Sequence, residues 1–218
     1  MSELEEGVCT GVGEQGLPLW KRALDLILIV LCAPGLLVIG VLVAAVIKFG
    51  SRGPIFFRQQ RVGYRGRVFT CLKFRTMHTD AETDSHRNYT RQLIQSQDPM
   101  HKLDNQKDPR LIPFARFLRA GGIDELPQLI NVLRGEMSLV GPRPCLPYEY
   151  ELYEPWQRSR FEAVPGLTGL WQVSGRSRLP YSERVRLDMF YIDNVSLFLD
   201  LTIMVRTVPV VLFGDGAV

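Results

Sequence analysis

A chain of 218 residues, 46% apolar and 22% charged, is long enough to bury a core and too apolar to be a disordered polyelectrolyte. Its formal net charge is only +3, yet residues 21–75 carry ten Lys or Arg and a single acid, Asp25. That asymmetry points to anionic lipid or a phosphate-rich ligand; with no zinc-finger spacing, RRM-like aromatic motif or helix-turn-helix signal beside it, it argues against nucleic acid.

Residues 1–17 form a Gly- and Glu-rich leader without periodicity, read as disordered. Residues 18–50 follow as a membrane segment. Within it, residues 26–47 carry no charge, and as straight helix they would reach about 33 Å, enough to cross a hydrocarbon core. Two facts speak against a simple crossing. Basic residues flank both ends (Lys21 and Arg22 before, Lys48, Arg52 and Arg58 after), which puts both ends on the cytoplasmic side. Pro34, with Gly35 behind it, removes a helix hydrogen bond near the middle. A re-entrant helix–break–helix answers both facts, while a bitopic helix with a proline kink stays open as the alternative. Asp25, at the membrane edge, needs a cap role or a cationic partner.

Residues 51–218 make up a cytoplasmic domain. Residues 55–62 and 68–74 read as two strands joined through Gly63 and Gly66. On the second strand, alternation puts Lys73 and Arg75 on one face, suited either to solvent or to a phosphate clamp. Residues 78–108 are polar; a helix over 81–95 and a loop over 99–109 are expected, and His78, Asp80, Glu82 and Asp84 match no metal-site spacing. Residues 110–118 read as a short helix with Phe114, Phe117 and Leu118 in the core.

The most informative stretch is GGIDELPQLINVLRGEMSLVGPRP, residues 121–144. Leu126, Leu129, Ile130 and Leu133 recur at helical spacing up to Gly135, with Pro127 tolerated in the first turn. Asp124 and Glu125 then sit at the start of that helix. They would serve there as a cap and a dipole partner, or as chemistry. Arg116, Arg119, Arg134 and Arg143 nearby suit an anionic substrate with a divalent metal, or a salt-bridge network.

Beyond Pro144, residues 148–161 are amphipathic and partly helical. The stretch VPGLTGLWQVSGRS, residues 164–177, offers glycine-rich turns whose N–H groups suit an oxygen-rich ligand, with Arg176 adding charge. Trp171 is either core or a stacking platform. Residues 181–191 form a helix with Arg184 and Asp188 at i,i+4 spacing. Residues 195–213 are apolar but interrupted by Asp200, Arg206 and Pro209, the pattern of an interfacial amphipathic helix, one that also suits a homodimer contact. Cys9, Cys32, Cys71 and Cys145 are isolated and expected to be reduced.

KRALD, GPIFFRQQRVG, FTCLKFRTM, DELPQLINVLRGEMSLVGPRP and VPGLTGLWQVSGR together resemble the bacterial sugar transferases, the monotopic polyprenyl-phosphate phosphoglycosyl transferases, over residues 18–216. The resemblance implies an α+β, mostly helical monotopic protein of the bacterial inner membrane. Its parts would be an N-terminal re-entrant helix–break–helix, a small β-hairpin, interfacial amphipathic helices and a catalytic domain on the cytoplasmic face. It implies transfer of a sugar 1-phosphate from a UDP-sugar to polyprenyl phosphate, with UMP released, in glycoconjugate, exopolysaccharide or O-antigen assembly. Asp124 takes the place of the family's nucleophile, Glu125 that of its Mg²⁺ ligand with Asp124 beside the metal, and Pro34 that of the membrane break. Lys73, Arg75, Arg119, Arg143 and Arg176 are the expected phosphate contacts. Ala33 stands where a Ser often precedes the break, and Gly122 and Ile123 where Ser and Leu often precede the acidic pair. A non-catalytic membrane scaffold, or another lipid-phosphate hydrolase or transferase, is the competing expectation.

Overall fold

A computed structural model describes residues 16–78 and 110–213; residues 1–15 of the expected leader and the features expected over 79–109 lie outside them, while Leu17, expected to close the disordered leader, is buried. The chain opens with α1 (Leu19–Gly50), then β1 (Phe56–Val62) and β2 (Val68–Phe74). α2 (Ala115–Ala120) leads to a 3-10 segment (Ile123–Gln128) and α3 (Leu129–Leu133), followed by β3 (Ser138–Val140). After α4 (Pro147–Leu152) and α5 (Pro155–Arg158) come β4 (Gly166–Thr168), α6 (Leu170–Ser174), α7 (Tyr181–Asp193) and α8 (Leu197–Phe213).

The hairpin forms where alternation places it, with β1 and β2 antiparallel from Phe56 opposite Phe74 to Val62 opposite Val68. β3 and β4 make a second, parallel pair, Ser138 beside Gly166 and Val140 beside Thr168. That pair depends on bare backbone. A Cβ on Gly166 would lie 2.0 Å from the Gly141 nitrogen, and one on Gly169 would lie 2.4 Å from the Gly141 carbonyl oxygen. The Gly166 N–H is spent on the Pro142 carbonyl. Gly166 and Gly169, read as ligand-facing, thus serve close chain approach, and Gly166 has no N–H left for a ligand.

α1 is helical without interruption through Pro34, where a break was expected. At 32 residues it is about 48 Å long, and among the described residues it is the one helix long and apolar enough to cross a membrane. Both its ends nevertheless pack on the same domain. Near the start, Ile29 joins Val132 and Met137; near the end, Val43 and Ile47 join Phe74, Ile112, Ala115 and Leu118. Residues 30–35, between them, are exposed.

Polar contacts tighten the first of these attachments. The buried Lys21 ammonium meets Asp200 of α8 at 2.5 Å and donates to the Tyr191 hydroxyl at 2.9 Å. Tyr191 in turn donates to Asp200 at 2.7 Å. Asp25 accepts from the Leu139 N–H at 3.2 Å, so its partners lie in the domain and it does not cap the helix. Arg22 donates to the carbonyls of Val132 and Leu133.

Three local expectations change. The segment expected as one helix begins as 3-10 up to Gln128 and turns α-helical only at Leu129. Phe114 and Phe117 are 67% and 70% exposed, outside the core that holds Leu118. Asp188 pairs with Arg160 at 2.5 Å, while Arg184 folds back on the Leu179 carbonyl and stacks over Trp171. An ion pair in the interior displaces the i,i+4 pair because a fully buried carboxylate needs a partner at hand.

Removing one member of the Lys21–Asp200 pair leaves a buried charge, which costs roughly 3–5 kcal/mol. Lys21→Met is therefore expected to lower the thermal midpoint in lipid nanodiscs, and Lys21→Met/Asp200→Leu to recover most of the loss. A Lys21→Met midpoint equal to that of the parent would contradict the attachment.

Candidate active site

The two adjacent carboxylates lie on the 3-10 segment, brought there by a sharp chain reversal. Gly122, at φ +62, turns the backbone between α2 and that segment. No side chain, Asp124 included, caps the segment, so the cap role does not explain the pair. α3 is held to the hairpin by Asn131, fully buried, whose amide donates to the Thr70 carbonyl at 2.7 Å and accepts from the Leu72 N–H at 3.1 Å.

Glu125 is the meeting point. Its Oε1 accepts from Lys73 of β2 and from Arg143 Nη2, each at 2.8 Å. Its Oε2 has only a 3.4 Å contact with Arg143 Nη1. Burial would raise the Glu125 carboxyl, but Arg143 and Lys73 outweigh it and hold the group well below the usual carboxylate range. Asp124 differs from its neighbour. It is 9% exposed and accepts no hydrogen bond among the described residues. Burial pushes its carboxyl up against the pull of Lys73, and the Glu125 charge adds to the rise. Two neighbouring carboxyls driven in opposite directions suit different tasks.

The predicted phosphate contacts divide. Lys73 and Arg143 reach Glu125 directly, and Arg119, which donates to Thr76 Oγ1 at 3.1 Å, acts on Asp124 through its charge. Arg176 stands at φ +50, in the left-handed region, and feels the charges of Arg143 and Glu125; burial and Arg143 both lower its pKa. Arg75 does not join them. Beyond β2 it is buried, and it donates to the Pro54 carbonyl at 2.6 Å and Ser51 Oγ at 2.7 Å, tying the end of α1 to the hairpin. Four cations gathered around two carboxylates suit a phosphate-bearing ligand.

Among the described residues no group of three or more His, Cys, Asp or Glu could hold a metal unaided. Mg²⁺ commonly takes one or two protein carboxylates and completes its shell with phosphates and water. The Asp124 carboxylate, which accepts no hydrogen bond among the described residues, and the lightly engaged Oε2 of Glu125 fit that donor set.

The bacterial sugar transferase family matches residues 17–214. This chain belongs to that family. It is 39% identical over 197 residues to the exopolysaccharide production protein ExoY of Sinorhizobium fredii, an alignment covering 90% of this chain and 87% of the relative. It is 42% identical over 209 residues to the UDP-glucose:undecaprenyl-phosphate glucose-1-phosphate transferase of Caulobacter vibrioides, covering 90% of this chain and 71% of that one. The undecaprenyl-phosphate galactose phosphotransferase of Salmonella typhimurium is 42% identical over 171 residues, 76% of this chain but 35% of its own length.

Within this sugar transferase, sequence reading passed over Asn131, which seats the carboxylate segment on β2, and Arg160, which reaches the Arg143 main chain at 3.1 Å. A polar residue amid the apolar run of α3 was the available signal for Asn131. Nothing local marks Arg160.

Arg143→Lys is expected to lower turnover roughly 100-fold with an unchanged thermal midpoint, because a lysine cannot reproduce the two-pronged grip on Glu125. Arg75→Lys is expected to do the reverse, lowering the midpoint while the folded fraction keeps its activity. Assaying both variants beside their melting curves checks the division.

Proposed function

We propose that this transferase moves a sugar 1-phosphate from a UDP-sugar to polyprenyl phosphate through a covalent phosphosugar on Asp124. The observation that carries the reading is the contrast between the two carboxylates. Glu125 is held through Oε1 by two cations, whereas Asp124, buried and without a hydrogen bond among the described residues, keeps its lone pairs for attack.

In the first step an Asp124 oxygen attacks the phosphorus that bears the sugar. The bond from that phosphorus to the bridging oxygen breaks, and the electron pair leaves with UMP. In the second, an oxygen of polyprenyl phosphate attacks the same phosphorus. The aspartyl P–O bond breaks, the carboxylate is regenerated and the lipid diphosphosugar departs. The acceptor is already anionic, so no separate general base is required. Lys73, Arg119, Arg143 and Arg176 hold the phosphate oxygens and offset charge as it develops. Glu125 Oε2 and Asp124 would hold Mg²⁺, which when bound neutralises diphosphate charge.

The packing of α1 supports one membrane arrangement. A helix crossing to the far side would carry one end away from the domain, yet Lys21, Ile29, Val43 and Ile47 all pack on it. This supports a segment that enters and leaves by the same face, its unbroken helix exposed around Pro34, and a catalytic domain on the cytoplasmic face of the inner membrane. Phe198, Val205 and Val208 of α8 are exposed, as are Phe49, Phe114 and Phe117. Lys48, Arg52 and Arg116, exposed nearby in sequence, suit anionic headgroups.

Incubating the nanodisc-embedded protein with a UDP-sugar labelled in the sugar, without lipid acceptor, should label Asp124, and Asp124→Asn should stay unlabelled. Kinetics that require both substrates bound together, with no isolable adduct, would refute the covalent route. A Trp at position 114 or 198 should be quenched by brominated lipid in anionic vesicles; emission indifferent to bromination would refute the proposed membrane face.

A further inference from the structure

Arg143 lies between Pro142 and Pro144, and neither proline has an N–H to anchor the chain. The segment is held by its carbonyls instead. Four consecutive ones accept a hydrogen bond, each from a different donor. The Pro142 carbonyl accepts from the Gly166 N–H at 2.9 Å and the Cys145 carbonyl from the Val62 N–H at 2.9 Å. The Pro144 carbonyl accepts from Arg61 Nη1 at 3.1 Å, with Arg61 itself fixed by Gln59 Oε1. The Arg143 carbonyl accepts from Arg160 Nη2 at 3.1 Å.

Arg160 is the unusual member of this set. It is 5% exposed, and it is paired with the fully buried Asp188 of α7 at 2.5 Å. Its Nη1 lies 3.4 Å from the Tyr153 hydroxyl, which is hydrogen-bonded to the Tyr181 hydroxyl. Stability alone gives little reason for such a pair, since well-packed apolar residues of similar volume often serve as well or better. What the guanidinium does here that an apolar side chain cannot do is hold the carbonyl of a residue whose own side chain grips Glu125.

We propose that Arg160, locked by Asp188, is a positioning residue: it fixes the main chain of Arg143 so that the Arg143 guanidinium stays on Glu125 and faces the substrate phosphates. Arg160 touches no reacting atom in this scheme. It acts through Arg143, and α7 thereby contributes to the geometry of a site to which it lends no ligand. The inference rests on the transferase reading above for its kinetic consequence, and on the Arg160–Arg143 hydrogen bond and the Arg160–Asp188 ion pair for its structural one.

The test uses the full chain in lipid nanodiscs with Arg160→Lys, Asp188→Asn and the apolar double variant Arg160→Met/Asp188→Leu. Three quantities are measured: the thermal midpoint, hydrogen–deuterium exchange of the peptide spanning residues 141–146, and steady-state kinetics with UDP-sugar and polyprenyl phosphate. The double variant is expected to keep its midpoint, exchange faster over 141–146, and lose about 10- to 100-fold in kcat, the cost of misplacing a catalytic group by about an ångström. Adding Arg143→Lys to it should cost less than the separate losses combined, since both changes act on one contact. Arg160→Lys, which keeps the charge but loses the fork, supplies the same readings if the double variant does not fold. Unchanged exchange over 141–146, or unchanged kcat in a folded variant, overturns the proposal. If the parent turns over no UDP-sugar, the transferase reading fails, and the exchange data still decide whether Arg160 holds the segment.

Discussion

The grip of Lys73 and Arg143 on Glu125 is the contact around which the site is assembled. It joins three segments far apart in sequence: β2, the 3-10 segment that carries the carboxylates, and the proline-bounded stretch after β3. An isolated surface ion pair contributes little, but these partners are largely shielded from water, and each is attached to a different rigid element. Once Glu125 is committed in this way, its neighbour Asp124 is left buried beside cations and accepts no hydrogen bond among the described residues. The division of labour between the two acids comes from placement, since both are ordinary carboxylates one residue apart.

The same economy governs the attachment of α1. Its apolar length alone would fit many membrane helices. Lys21, Asp25, Arg22 and Ile29 tie its start to α8, β3 and α3, and Val43, Ile47 and Ser51 tie its end to α2 and the hairpin. Arg75 belongs to this second attachment, which is why it is missing from the acidic site. A helix secured at both ends on one body keeps the carboxylates at a fixed height relative to whatever surface its exposed middle enters.

What sequence made legible was chiefly local. Alternation and two glycines were enough to place the hairpin, and a leucine pattern was enough to place Asp124 and Glu125 on a short helical segment. Lys73 and Arg143 were legible as partners of an anionic ligand because cations near paired acids suggest one. Three-residue parallel strands have no period to read, so β3 and β4 were invisible; their pairing depends on Gly141 and Gly166 approaching too closely for any side chain. Phe114 and Phe117 were assigned to the core because apolar spacing marks a buried face without saying whether protein or lipid buries it. The Arg184–Asp188 spacing was correct for a solvated helix, but Asp188 faces inward, where Arg160 meets it from outside the helix. Lys73 and Arg75 shared a face by alternation, yet Lys73 reaches Glu125 while the Arg75 side chain is taken up by Pro54 and Ser51 at the end of α1.

Asn131 has an effect that reaches past the placement of the acidic segment. A two-stranded ribbon has backbone groups on both rims ready to accept another extended chain, and unguarded rims of this kind seed edge-to-edge aggregation. The Asn131 amide occupies the Thr70 carbonyl and the Leu72 N–H on the outer rim of β2, imitating a single peptide unit of a third strand. One side chain thus blunts the middle of that rim against recruitment of a neighbouring molecule, a useful property where proteins crowd together on a bilayer.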